Sequence, residues 1–412
     1  MMQQPIFDIV IVGGGPISMS LVLSLQGLPI NIAIIEATDI EQRITRQEPD
    51  LRSLALSQSS QRILTGLGVW SEVETQAVAL TGIHISKQAG LFATRMSATE
   101  CQLPAFGYVL GMQTLLTVLQ KTLMTHENVT WFSPARVTQV TQTPQQATVV
   151  IKQNNELRSL HTKWVIAADG THSKIRQMVG IPVTVHDYQH SAIVANVTLA
   201  TAHQQIAYER FYPSGPMAML PNARKQVALI WSLTDQQAQT MQQLPDRLFL
   251  TELQKKFGYR LGKFTQVSPR HNYPLMLTVA EKNYQGRVLL LGNAAHTLHP
   301  IAGQGFNLGL RDVAALSELI REFQAKQQLD QTHELLKRYV AWRREDQLKI
   351  VTFTDGLINF FAHQQFPMTA LQNLSLLAAD VWPLFKTTLQ QVAMGLDGFV
   401  PDLVSGYRKW KN

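Results

Sequence analysis

The residues 8 to 25, DIVIVGGGPISMSLVLSL, set Gly13 and Gly15 between a short apolar run and a stretch of helical character. Gly13 permits a tight turn, and Gly15 lets a pyrophosphate approach the main chain. The helix start adds amide donors and the positive end of its dipole. Ser18 stands where a third glycine is usual. That position needs only a small residue for helix–strand packing, so the turn tolerates the hydroxyl. Glu36 ends the next apolar run, 21 residues after Gly15. An acid there accepts hydrogen bonds from the adenosine ribose hydroxyls and repels a 2′-phosphate, which favours FAD or NAD over NADP.

Two later segments carry the same kind of punctuation. VIAADGTHSKIR holds Asp169-Gly170 at the end of an apolar run, followed by Ser173 and Arg176. RVLLLGNAAHTLHPIAGQGFNLGLRDV ends a run in Gly292-Asn293 and passes through a Pro/Gly-rich loop into a helix. His296 and His299 make a poor metal site, because no carboxylate or thiolate pattern accompanies them. No metal is expected.

These residues require particular elements to position them. FDIVIV (7 to 12) and INIAIIE (30 to 36) are predicted as buried strands around a helix at 17 to 26, a βαβ unit. From about 184 to 275 longer strands such as SAIVANVTLA and QVALIWSL predict a mainly antiparallel sheet. The predicted fold class is α/β: a Rossmann-like dinucleotide-binding domain, an FAD-binding domain if the cofactor is FAD, interleaved with a mainly antiparallel β-sheet substrate domain, plus C-terminal helices. The expected boundaries are 1–76, 108–183 and 276–326 for the first, 77–107 and 184–275 for the second, and 327–412 for the helical region. Pro367, Pro383 and Pro401 should break that last region. Within it, Met368, Leu371, Leu374, Leu377, Val381, Leu384 and Phe385 form an apolar helical stripe, read as packing on the body of the protein or as meeting lipid.

Composition narrows the partners. With 45% apolar and 16% charged residues the chain is a folded, soluble or peripheral protein. Its net charge of +7 is spread without a block of Lys/Arg, so no nucleic acid is expected. Cys101 is the single cysteine, which excludes an intrachain disulfide and fits a reducing cytoplasm. No signal segment and no membrane-spanning run is expected.

The three segments, in this order, resemble the flavoprotein hydroxylases of the para-hydroxybenzoate hydroxylase fold, over nearly the whole chain. DLRSLALS, AYERFYPSGPMAMLP, RLGK and GNAAHTLHPIAGQGFNLGLRDV resemble in particular the FAD-dependent hydroxylases of ubiquinone biosynthesis, of the 2-polyprenyl-6-methoxyphenol hydroxylase type. The resemblance implies tight, non-covalent FAD, with O2 and either NAD(P)H or a protein electron donor. It implies hydroxylation of a polyprenyl phenol through a flavin C4a-hydroperoxide.

Carried over residue by residue, the resemblance makes Asn293 the ribitol partner. It sets Gly303, Gly305, Phe306 and Asn307 against the isoalloxazine, Arg52 near flavin or pyrophosphate, and Gln113 near the phosphates. Arg52, Pro300, Gly303 and Gly305 form the implied catalytic set; Asp169 belongs to the cofactor set. Contact with other ubiquinone-biosynthesis proteins, a homo-oligomer and a peripheral position on the inner membrane are compatible with it. The competing readings are a hydroxylase of another small phenol and a non-catalytic flavoprotein scaffold. The intact loop from Pro300 to Asn307 opposes the scaffold.

Overall fold

Two sheets meet around one long cavity. The computed structural model describes residues 6–40, 52–88, 90–124, 126–362, 365, 367–381 and 401–405. The first sheet has parallel strands in the spatial order Val288–Leu290, Glu156–Ala167, Ile6–Val12, Ile32–Ile35 and Val129–Phe132. Ile9, Val10 and Ile11 are fully buried, as a strand covered on both faces requires. The strand order reverses at Ile6–Val12, between the next strand in sequence on one side and a distant one on the other. In such sheets ligands bind beyond the carboxyl ends of the strands at this reversal.

One face of this sheet packs on helices Pro16–Ser24 and Gln304–Ala325. The two helices approach closely because Gly309 faces Ile17: a Cβ on Gly309 would lie 2.8 Å from Ile17 Cδ1. Ser18 and Ser20 are buried in this layer.

The second sheet is built mainly of antiparallel pairs among strands Val183–Leu199, Ile206–Tyr212, Gly215–Ala223, Gln226–Thr234 and His271–Ala280. Among the described residues its one parallel pair joins Ile206–Tyr212 to Gly82–Lys87. Residues 276–280 and 296–297, assigned to the nucleotide part from sequence, pair in this second sheet instead. The backbone crosses between the sheets there, and apolar patterning alone does not register a crossing.

Helices Thr332–Ala362 and Met368–Val381 follow, with the break near Pro367. The second helix lies on the sheet edge, where Thr94 Oγ1 donates to the Leu376 carbonyl at 2.8 Å and the Arg95 amide donates to Asp380 Oδ1 at 2.7 Å. Its buried face is Gln372, Leu376 and Ala379, whereas Leu371 and Leu374 are exposed. Of the stripe read from sequence, Leu371 and Leu374 are exposed and Met368 and Leu377 half-buried, so the most buried positions fall beside it; the Val381 side chain, Leu384 and Phe385 lie outside the described residues.

Candidate active site

The glycine turn is held by backbone contacts before any ligand is considered. Gly13 has φ +103°, and a Cβ there would sit 2.4 Å from the Ala168 carbonyl oxygen, so only glycine fits. Its amide donates to the Ile35 carbonyl at 2.8 Å. Gly15 differs: it caps the helix Pro16–Ser24, and a Cβ on it would meet nothing within 4 Å. Free space lies where Gly15 opens onto the cavity.

Glu36 is buried rather than near the surface. Its Oε2 accepts from the Gly14 amide at 2.6 Å, and its Oε1 accepts from the Thr38 amide at 2.9 Å and hydroxyl at 2.7 Å. It thus braces the turn as well as lining the cavity. Sequence reasoning missed the Gly14 contact, which joins residues 22 apart. Ser18 does not line the cavity, and its buried hydroxyl has no hydrogen-bond partner.

Asp169 follows the strand Glu156–Ala167. Its Oδ2 caps the short helix Lys174–Met178, accepting from the amides of Lys174 at 2.8 Å and Ile175 at 3.2 Å. Its Oδ1 is buried without a partner. Ser173 accepts from the Arg176 amide, and Arg176 donates to the carbonyls of Ala294 and Thr171, fastening the third segment to the second.

The loop from 292 to 307 closes the cradle. Asn293 and Pro300 are exposed on the cavity wall. Gly303 has φ +60°, and a Cβ there would lie 2.8 Å from the Ala55 Cβ. Gly305 is open, and Phe306 is half-buried beside it. Asn307 also lines the cavity, but its amide is committed to the protein. It donates to the carbonyls of Ala55 and Gly303 and accepts from the Ser57 amide and the Ser60 hydroxyl. The bonds to Ala55 and Ser57 pin the loop to the strand Ser53–Ser57, the Ser60 bond ties it to the helix Gln58–Gly66, and the Gly303 bond closes the loop on itself. Arg52 and Gln113 both line the cavity, and the Arg52 carbonyl accepts from the Met112 amide at 2.9 Å.

Behind the loop lies a buried ionic cluster that the sequence did not announce. His296 Nε2 and Asp312 Oδ2 are 2.7 Å apart, and Asp312 Oδ1 accepts from Arg343 Nε at 2.7 Å and Gln347 at 3.0 Å. Burial pushes the Asp312 pKa up, but the charges of Arg343 and His296 override it and leave the group lowered to about 2. The carboxylate found wanting beside His296 is therefore present, already engaged by His296, Arg343 and Gln347. His299 accepts the Ile301 amide, and burial lowers its pKa to about 3, so it is neutral. Among the described residues no group of three potential metal ligands converges.

All these elements open on a single cavity of about 2080 Å³. Pockets for drug-sized ligands occupy about 300–1,000 Å³, so a dinucleotide and a second molecule both fit. The far half is walled by Ile83, Ile85, Phe211, Leu357, Phe360 and Phe361. Phe211 and Phe361 stack with centroids 4.0 Å apart. The open space at Gly15 and the orphaned Asp169 oxygen fit a dinucleotide with hydroxyl donors.

A cradle suited to a dinucleotide and an apolar chamber share one cavity. The family model described as FAD binding domain matches residues 7–354. The chain is 30% identical over 396 residues to the 3-demethoxyubiquinol 3-hydroxylase of Escherichia coli, covering 96% of this chain and 100% of that one. It is also 30% identical to the ubiquinone hydroxylase UbiL of Rhodospirillum rubrum, with 94% and 89% covered. Among solved structures, p-nitrophenol 4-monooxygenase PnpA of Pseudomonas putida superposes with a TM-score of 0.79 at 18% identity, over 98% of this chain and 100% of that one. This chain belongs to the FAD-dependent monooxygenase family that includes the ubiquinone-biosynthesis hydroxylases, and its cofactor is FAD.

Proposed function

We propose that the protein hydroxylates a polyprenylated phenol of the 2-polyprenyl-6-methoxyphenol type in ubiquinone biosynthesis. The observation that carries the proposal is the apolar chamber, whose aromatic and aliphatic wall suits a ring bearing a long hydrocarbon chain. The relatives named for ubiquinone hydroxylation support the substrate class.

Bound FAD supplies the activation of O2, with NAD(P)H or a protein donor as reductant. The chain's own residues bind and orient. Gly13 and Gly15 leave the pyrophosphate room at the helix start, and Glu36, which lines the cavity beside the turn, receives the ribose hydroxyls. Asp169 Oδ1 and Asn293 meet the ribitol side, and Arg52 and Gln113 the phosphates. Pro300, Gly303, Gly305 and Phe306 set the ring, and the amides opening helix Gln304–Ala325 stabilise negative charge on it when reduced. The stacked Phe211 and Phe361 keep water from the chamber.

No helix among the described residues is long and apolar enough to cross a membrane. A polyprenyl chain does not travel through water, so the same proposal includes contact with a lipid surface through the exposed Leu91, Leu371 and Leu374.

Mass spectrometry of quinone-pathway intermediates in a deletion strain tests this. Accumulation of a polyprenyl phenol lacking one hydroxyl is expected. Unchanged quinone, or accumulation of a small unprenylated phenol, overturns it.

A further inference from the structure

Strand alternation places one carboxyl group in the apolar chamber. On the strand Ile206–Tyr212, Tyr208, Arg210 and Tyr212 turn toward helix Asp246–Phe257. The Tyr208 ring meets Phe257 at 5.6 Å, Arg210 donates to the Phe257 carbonyl, and the Tyr212 hydroxyl donates to the Lys256 carbonyl. The alternate residues Ala207, Glu209 and Phe211 therefore share the opposite face, and all three line the cavity. Glu209 stands opposite Ala218 on one neighbouring strand and Ile85 on the other. Its side of the chamber is completed by Ile83, Leu220 and Ile230.

Among the described residues, no hydrogen bond or ion pair reaches the Glu209 carboxylate. Arg52, His172, Lys174, His271 and Tyr273 also line the cavity, yet none of them shifts its pKa; burial alone raises it, to about 7. A half-buried acid without a partner on an apolar wall is costly to fold, and a substrate hydroxyl is the donor it lacks.

We infer that Glu209 is the base that removes the proton from the substrate's phenol hydroxyl. The inference rests on the hydroxylase proposal above. The phenol O–H bond breaks, the proton passes to a Glu209 oxygen, and the electron pair stays on the phenolate, raising electron density in the ring for attack on oxygen. Oxygen transfer forms the ring C–O bond and breaks the O–O bond of the activated oxygen, and when the ring rearomatises its displaced C–H proton neutralises the oxygen anion left by that cleavage. The carboxyl then returns its own proton to the phenolic oxygen and ends ionised, as it began.

The test uses the FAD-loaded protein with 2-methoxyphenol carrying one prenyl group, and with the O-methyl ether of that phenol. Binding is read from the change in flavin absorbance from about pH 5 to 9, a range that brackets a raised carboxyl. Ionised Glu209 accepts from the phenol but not from the ether, so the phenol should bind at least ~10-fold tighter above pH 7. The preference should shrink as falling pH protonates the acid. Glu209→Gln should flatten this pH step and lower kcat by roughly 10²–10⁴ while keeping its flavin, and Glu209→Asp should restore part of both.

A wild-type preference that is flat with pH, or a step that persists in Glu209→Gln, overturns the assignment. If Glu209→Gln loses its flavin, the wild-type step alone decides. Failure of the prenyl phenol to bind or be hydroxylated at any pH would instead defeat the hydroxylase proposal.

Discussion

The two halves of the cavity are built on opposite terms. In the nucleotide half the polar side chains have structural duties before a ligand arrives: Glu36 braces Gly14, Asp169 caps a helix and Asn307 makes four bonds that pin its loop. In the substrate half the walls are apolar, and the carboxyl of Glu209 has no partner among the described residues. The contrast separates positioning from chemistry. A cofactor held through every turnover is met by polar groups already anchored in the protein frame, whereas a reacting group is met by a carboxyl that the frame does not engage.

The contrast is broken most severely at the glycines. Gly13→Val combines a forbidden φ with a backbone clash, and should destabilise the fold by about 4 kcal/mol and abolish flavin binding. Gly15→Val should melt within a few degrees of wild type yet carry no flavin, because its side chain fills only the ligand's path. Thermal melts and absorbance near 450 nm distinguish the two. Equal damage from both would mean that the turn is not a prepared ligand site.

Next comes the ionic cluster behind the loop. Asp312→Ala removes the partner of His296 and leaves the buried Arg343 with Asp346 as its remaining carboxylate, with an expected loss of about 3 kcal/mol in a denaturant titration. The pH dependence has a definite sign. The folded-state pKa is depressed to about 2, so the contribution of Asp312 is complete above its unfolded value near ~3.9 and lost as pH falls through about 2. The variant should lack that acid limb.

Glu36→Ala removes three accepted hydrogen bonds at once, so it should lower stability by about 2 kcal/mol as well as weaken FAD. A variant as stable as wild type would show the brace at Gly14 to be idle. The smallest effect belongs to Ser18→Ala. Removing an unpartnered buried hydroxyl should leave FAD affinity unchanged and stabilise by up to about 1 kcal/mol. A large fall in FAD affinity would make the hydroxyl a ligand.

The nucleotide half was legible because its signals are local. A strand, a glycine turn and a helix start occupy consecutive residues, and the φ of +103° at Gly13 and +60° at Gly303 are demands that only glycine meets cheaply. Glu209 was in plain view within AYERFYPSGPMAMLP, in register with Ala207 and Phe211, and that period of two was the available signal. What the face looked upon was not in the sequence of the strand.

The sequence by itself determined the order of elements, the three punctuated segments and a dinucleotide as the ligand of the first of them, since these follow from periodicity and from backbone geometry at single residues. Only the tertiary structure decided which groups pair across long stretches: Asp312 with His296 and Arg343, Asn307 with a strand 250 residues away, and the Met368–Val381 helix on the edge strand Ala93–Ser97. The physical reason is that an apolar stripe fixes which face can be buried only when its partner surface is known. On that last helix Gln372, fully buried, packs where Leu371 and Leu374 do not.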